Sequence, residues 1–503
     1  MNSSYHPFYI ACSLIAALLA AVGIVGQIPI LYGIVPGLIG GISAGVAAVQ
    51  FFREKRDLAG FAANISGFVF YQAFQANPAM LPEFTTYIAP IPLQDQVVGI
   101  VLSNLTVAML LGAYHGVRGL LGSTIERWVP TPATVTRDQR DHAMATGFVV
   151  LFTIIAIPNI LYGKLIVGSI ETIMYQRAAG AAGGLGGYNV GSELGGSLVN
   201  ITLWTTSLFF LWVYLLRSRF KVMMWLLGPL VLIWTTAVAL QGSRTYLVTM
   251  AAGAAIYYLG SPNTGKKVLI HACWVVPLVF ALNQATSLFR NEGLVSVDTQ
   301  ELTSHFFEIR GNEGAQAEMD GIEYFRTELL ARGLAPNPLT GFLNGLFFRP
   351  IDGALMIVPR SVFPWKPDDR SATEYNLFYQ NVRQGVESDE ATLGASAGLV
   401  GRELVRHGFL GPLTMLFWMG LLLVVAEAFF SKDPNSDFLR IFASGILAFF
   451  FAQSRDFMPV WFIPFLPLMI IMAIVIYGAR NTGQGIPQAS ASLPTGDGGE
   501  GPS

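Results

Sequence analysis

Apolar runs of about 17 to 22 residues alternate with short polar breaks along this chain, and few charges fall inside the runs. A helix rising 1.5 Å per residue needs about 20 such residues to cross roughly 30 Å of hydrocarbon. The pattern therefore predicts transmembrane helices over about 8–26, 29–52, 59–79, 96–116, 146–163, 197–216, 222–241, 245–260, 268–288, 409–429, 440–453 and 460–479. Asn64, Gln72, Gln75 and Asn77 interrupt the third, and the eleventh is short. The opening run, HPFYIACSLIAALLAAVGIVG, is too long for a signal-peptide core and lacks a basic flank, so it reads as a retained first helix.

The charges are few but ordered. Arg53, Lys55 and Arg56 follow the second run; Arg118, Arg127, Arg137 and Arg140 the fourth; Arg217, Arg219 and Lys221 the sixth; Lys266 and Lys267 the eighth; Lys432 and Arg440 the tenth. All of these basic loops fall on one side if the N-terminus is cytoplasmic, as basic loops of membrane proteins do. The expected fold is an all-α polytopic membrane protein of about twelve helices with both termini inside. It divides into a bundle of about nine helices over 1–288, a large extracytoplasmic loop with amphipathic helices over 289–408, and further transmembrane helices over 409–480. The tail over 481–503 is Gly, Pro, Ser and Gln without periodicity and reads as disordered. The inverted repeat of many transporters is not visible.

Composition narrows the function. Hydrophobic residues make up 53% of the 503 and charged residues 12%, with a mean hydropathy of +0.52; a soluble chain carries about twice that charge. The net charge of −2 does not point to nucleic acid. Cys12 and Cys273 lie in apolar runs without CxxC spacing. No Asp-x-Asp, HExxH or His/Cys cluster suggests a metal, and no cofactor is expected. GSPNTGKK, residues 260–267, imitates a phosphate-binding loop, but Lys267 stands where a magnesium-binding hydroxyl belongs and both flanks are membrane helices. The Gly-rich stretch 180–187 lacks the strand context of a dinucleotide site.

Chemistry concentrates in the large loop. Phe306, Ile309, Met319, Ile322, Phe325, Leu329 and Leu330 give a partly apolar helical face over 301–330, ended by Pro336 and Pro338. GFLNGLFFRPIDGALMIVP then reads as an amphipathic segment at the membrane surface, packing the loop onto the helices. Arg360, Lys366 and Arg370 follow among Pro359, Pro364 and Pro367, which keep the backbone out of helix. This turn either holds phosphate or is solvated, its bases pairing with Asp368 and Asp369. GLVGRELVRHGFLG leads into the tenth run. On a helix, Arg402 and Arg406 share one face while Glu403 and His407 share the next. A carboxylate beside an imidazole suits a general base, and the alternative is a helix end with a local ion pair. Arg244 in QGSRTYL and Arg455 in AQSRDFMP lie at outer span ends, where an Arg is costly and hence a functional candidate, though Asp456 can neutralise Arg455.

Taken together, SRT after a long span, PRSVFPWKP, GLVGRELVRHGFLG and a late SRD resemble the bacterial O-antigen polymerase and oligosaccharide repeat unit polymerase family. The match covers mainly Gln241 to Pro459, and Gly401-Arg402-Glu403 carries one residue more than the family's Gly-Glu. The resemblance implies a GT-C-like membrane protein of the bacterial inner membrane, with a periplasmic site for inverting, metal-independent glycosyl transfer. Its donor would be a glycan on undecaprenyl diphosphate and its acceptor the next lipid-linked repeat, with membrane lipids and a chain-length regulator protein as further partners. Arg244, Arg360, Lys366, Arg402 and Arg455 would bind diphosphate, with Glu403 or His407 as base and Asp369 in reserve. An O-antigen ligase is the nearest rival reading. A transporter of lipid-linked sugars would instead place charges within the spans.

Overall fold

The computed structural model describes residues 5–54, 57–72, 91–129, 315–348, 370–383, 397–432 and 437–455. These residues are all helical or in turns, with no strand among them. Ten α-helices are described: α1 His6–Val25, α2 Val35–Glu54, α3 Leu58–Gly67, α4 Leu93–Trp128, α5 Ala315–Tyr324, α6 Pro338–Leu343, α7 Arg370–Phe378, α8 Leu399–His407, α9 Gly411–Lys432 and α10 Asp437–Arg455. Wider π-helical turns extend several of them, at Ile30–Ile34, Phe68–Gln72, Phe325–Leu330, Asn344–Phe348 and Tyr379–Arg383. Four stretches are long and apolar enough to cross a membrane: His6–Val25, Ile30–Phe51, Leu93–Trp128 and Leu399–Lys432. The chain is thus a helical membrane protein. The spans expected over 146–288 and 460–479 lie outside the described residues.

On α1, mostly small residues line the inner face and large aliphatic ones face outward, as in a helix whose surroundings are as apolar as its side chains. On α1 the buried stripe is Tyr9, Ser13, Ala16, Ala17, Ala20, Gly23 and Ile24, while Leu14, Ile15, Leu18 and Val22 are exposed. That stripe packs antiparallel on α4: His6 meets His115 near one end and Ser13 Oγ donates to the Asn104 carbonyl at 2.6 Å, while Ala20 and Ile24 join Ile100. Helix α9 runs parallel to α4, with Gly420 against the backbone of Ala113 and Lys432 Nζ donating to the Glu126 carbonyl at 3.1 Å. Phe429 stacks on Phe442, turning α10 back along α9. The core includes Tyr9, Phe51, Tyr71, Tyr114, Phe442 and Phe450, all essentially without exposure.

Two of the residues that interrupt the third apolar run, Asn64 and Gln72, have interior partners, while Gln75 and Asn77 lie outside the described residues. Asn64 accepts from Ser43 Oγ at 2.6 Å and donates to the Gly60 carbonyl at 2.8 Å. Gln72 donates to Asn104 Oδ1 at 3.5 Å. Each amide, costly in hydrocarbon, thus has a partner on a neighbouring helix.

The bundle has two polar ends. At one, Asp57 caps α3 by accepting from the Gly60 amide at 2.9 Å and meets His6 Nε2 at 2.5 Å, while His6 Nδ1 lies 2.8 Å from His115 Nε2. Glu427 there accepts from the Tyr114 hydroxyl and, at 3.1 Å, from Arg118. At the other end sit the start of α4 and the helices α5, α6 and α8.

Candidate functional site

Helix α8 carries the Arg-Glu pair of the sequence and is fixed by glycines at both ends. Gly398 (φ +75°, ψ −172°) precedes it and Gly408 (φ +69°, ψ −162°) follows it, a backbone region open essentially to glycine alone. Gly398 offers no side chain to cap the first amides, which a helix leaves without internal partners. The cap comes from α5 instead. Glu318 Oε1 accepts from Leu399 N at 2.5 Å and Val400 N at 3.0 Å, and Oε2 accepts from Val400 N at 3.1 Å and Gly401 N at 2.8 Å. A carboxylate on a helix N-terminus is favoured by both the charge-assisted bonds and the helix dipole.

The two helices approach closely enough for this because glycines meet at their crossing. A Cβ on Gly321 would stand 3.0 Å from Gly401 Cα and run into the Ala397 carbonyl. On its other side, α5 packs Met319 against Gly99 of α4. Every residue of α5 is buried, including Glu318, Asp320 and Glu323. The helix predicted to have one apolar face is thus enclosed on all sides, because α4 and α8 cover both flanks. The following π turn aims Arg326 at Asp95 in the first turn of α4, with Nη2 to Oδ2 at 2.7 Å and Nε to Oδ1 at 3.0 Å.

Within α8, Glu403 is fully enclosed (0% exposed) and Arg402 nearly so (6%), while Arg406 and His407 are half-buried. All four engage neighbours in the protein. Gly341 of α6 sits against the His407 carbonyl, and Gly411 against the Glu403 carbonyl. The predicted helix over 402–407 is therefore present, and the structure brings Arg402, Glu403 and His407 together on it. Arg455 ends α10; the preceding Ser454 carbonyl accepts from Tyr71 at 3.0 Å, which places that end of α10 beside the π turn after α3. Arg244, Arg360, Lys366 and Asp369 lie outside the described residues.

An aromatic wall borders α8. Tyr324 packs edge-on to Tyr375 and against Phe378, in a cluster that includes Phe325, Ala397 and Val405. The Tyr324 phenol is pushed up to about 12, chiefly by burial and then by the Glu374 and Glu328 carboxylates. Leu339, Phe347 and Phe348 of α6 and its π turn are exposed, as are Phe409 and Leu413 just beyond α8. The described part of the segment read as lying at the membrane surface, up to Phe348, so presents an apolar outer face, with Gly341 and Gly345 buried.

The sequence reading missed Glu318, Asp95 and Arg326. The available signal for Glu318 was negative: a helix starting after AlaGly with no Ser, Thr, Asp or Asn at its N-cap requires a cap from elsewhere. Among the described residues, no group of three or more His, Cys, Asp or Glu is placed to hold a metal ion. Compared with protein-family models, with curated proteins and with solved structures, the chain finds no match.

Proposed function

We propose that this protein polymerises lipid-linked oligosaccharide repeat units in the synthesis of an O-antigen, capsule or exopolysaccharide. The reading is that of an inverting glycosyltransferase with about twelve spans and a GT-C-like architecture, its site facing the periplasm of a bacterial inner membrane. The observation that carries it is the burial of Arg402 and Glu403 side by side on α8, at the bundle end away from Arg118 and Lys432. Basic loops mark the cytoplasmic face, so the α8 end would be the outer one.

In this reading a hydroxyl of the acceptor repeat attacks the anomeric carbon of the donor glycan from the face opposite the diphosphate. A protein base takes the hydroxyl proton, the carbon–oxygen bond to the diphosphate breaks, and the lipid diphosphate leaves with the electron pair. Arg402, with Arg244, Arg360, Lys366 and Arg455, would hold the departing charge. Of the two base candidates, His407 is the more exposed and Glu403 the more enclosed; Asp369 stands in reserve. Membrane transport fits less well: among the described residues, the polar side chains buried mid-bundle, Ser13, Ser43, Asn64, Gln72 and Asn104, are uncharged.

The test supplies purified protein in nanodiscs with lipid-linked repeat units and no nucleotide sugar or added metal. A ladder of products is expected, and Arg244→Ala and Arg360→Ala should fold normally but extend no chain. A requirement for a nucleotide sugar overturns the mechanism, and long chains from both variants overturn the site. In a deletion strain, single repeats on lipid A are expected, whereas long glycan held on carrier lipid would make the protein a ligase.

A further inference from the structure

We infer that Glu318 is a positioning residue: its carboxylate, supplied from a helix 81 residues earlier in the chain, holds α8 and with it Arg402 and Glu403. The functional consequence rests on the glycosyl-transfer reading above; the holding itself does not.

Three observations converge on it. Leu399, Val400 and Gly401 all give their amide hydrogens to Glu318, and every one of these bonds is buried. Gly398 provides no local alternative, and a side chain there would collide with the Glu318 carboxyl group, whose carbon would lie 2.5 Å from the added Cβ. The supporting helix is itself braced, by Gly99 against Met319 and by Arg326 on Asp95. The chain of restraint thus runs from the long membrane helix α4 through α5 to the short helix that bears the Arg-Glu pair. Glu318 is two residues before Asp320 and three before Gly321, so the same turn that delivers the carboxylate also makes the glycine crossing with Gly401.

A second consequence concerns the ligand. Helix N-termini commonly bind phosphate through their free amides, but here three of those amides are taken by the protein's own carboxylate. The diphosphate is left to guanidinium and ammonium side chains, which accounts for a site whose candidate ligands are Arg and Lys rather than a Gly-rich turn.

The experiment measures amide hydrogen exchange over 397–407 in the full-length protein in nanodiscs, together with chain-extension kinetics, for wild type, Glu318→Gln and Glu318→Asp. Gln keeps the length and one accepting oxygen but puts an NH2 where the other oxygen accepts from two of the three donors, so exchange within Leu399 to Gly401 should rise tenfold or more. Its kcat should fall at least tenfold with KM changed less than threefold, a split that general loosening of the bundle would not produce. Asp, one methylene shorter, should lie between the two in both readouts and carries the test if the Gln variant fails to fold. Unprotected amides at 399–401 in the wild type, or exchange unchanged in both variants, overturns the assignment. So does a variant that loses protection yet keeps kcat within twofold. A wild type that extends no chain overturns the polymerase reading, and the exchange rates then uphold or overturn the holding role alone.

Discussion

Removing Arg326 should cost more than removing Asp95, although the two form one ion pair. The Arg326 side chain is 38% exposed and that of Asp95 3%. Asp95→Ala leaves a guanidinium that water reaches and that keeps a second acceptor, the Gln94 side-chain oxygen at 3.0 Å in its favoured orientation. That loss amounts to a largely screened ion pair, about 1 kcal/mol. Arg326→Ala leaves an enclosed carboxylate without its forked partner. Breaking a buried pair from one side costs about 3–5 kcal/mol, and the exposure of the guanidinium reduces this to about 2–3 kcal/mol. The double variant strands no charge and should cost less than Arg326→Ala alone. The assay is equilibrium unfolding in mixed micelles, followed by tryptophan fluorescence, for the two single variants and the double. A penalty of about 2 kcal/mol corresponds to a roughly 30-fold change in the equilibrium, well above scatter. Equal penalties, a reversed order, or a double variant equal to the sum of the singles would refute the reasoning.

Three further outcomes follow from the packing. Gly321→Val drives a side chain into the Ala397 carbonyl and Gly401 Cα, so it should cost about 1–3 kcal/mol and speed amide exchange at 399–401. Glu427→Gln weakens the cluster with Tyr114 and Arg118 at the opposite end. It should lower unfolding stability by about 1–3 kcal/mol while chain extension per folded molecule stays at the wild-type rate. Tyr324 should ionise at about 12, against about 10 for an unfolded tyrosine. Its contribution to stability is then complete below pH 10 and lost as the pH rises through about 12; an absorbance titration at 295 nm of wild type against Tyr324→Phe that shows the missing group ionising near 10 would contradict this.

The membrane helices were legible because their driving pattern is local. An apolar run of the right length must be helical in hydrocarbon, where no water can satisfy the backbone, and so α1, α2 and α9 could be placed from the run lengths alone, whereas α4 continues past its apolar run, through Arg118 and Arg127, to Trp128. The amphipathic placement of Arg402, Glu403 and His407 was legible for the same reason, since helical period fixes which residues share a face. Asn64 and Gln72 marked the third run as the weakest in the sequence, and their partners, Ser43 and Asn104, lie outside that run and are seen only in the structure.

What the sequence by itself determined was helical class, the approximate places of the membrane helices α1, α2, α4 and α9, and the local face of the Arg-Glu pair. Only the tertiary structure decided which of that pair's neighbours are enclosed, and by what. Glu318 caps a helix 81 residues away and Asp95 meets Arg326 across 231 residues; neither separation carries a period or a motif. Such contacts arise from the geometry of crossing helices, here set by Gly99, Gly321 and Gly401, whose lack of a side chain is visible in the sequence but whose partners are not.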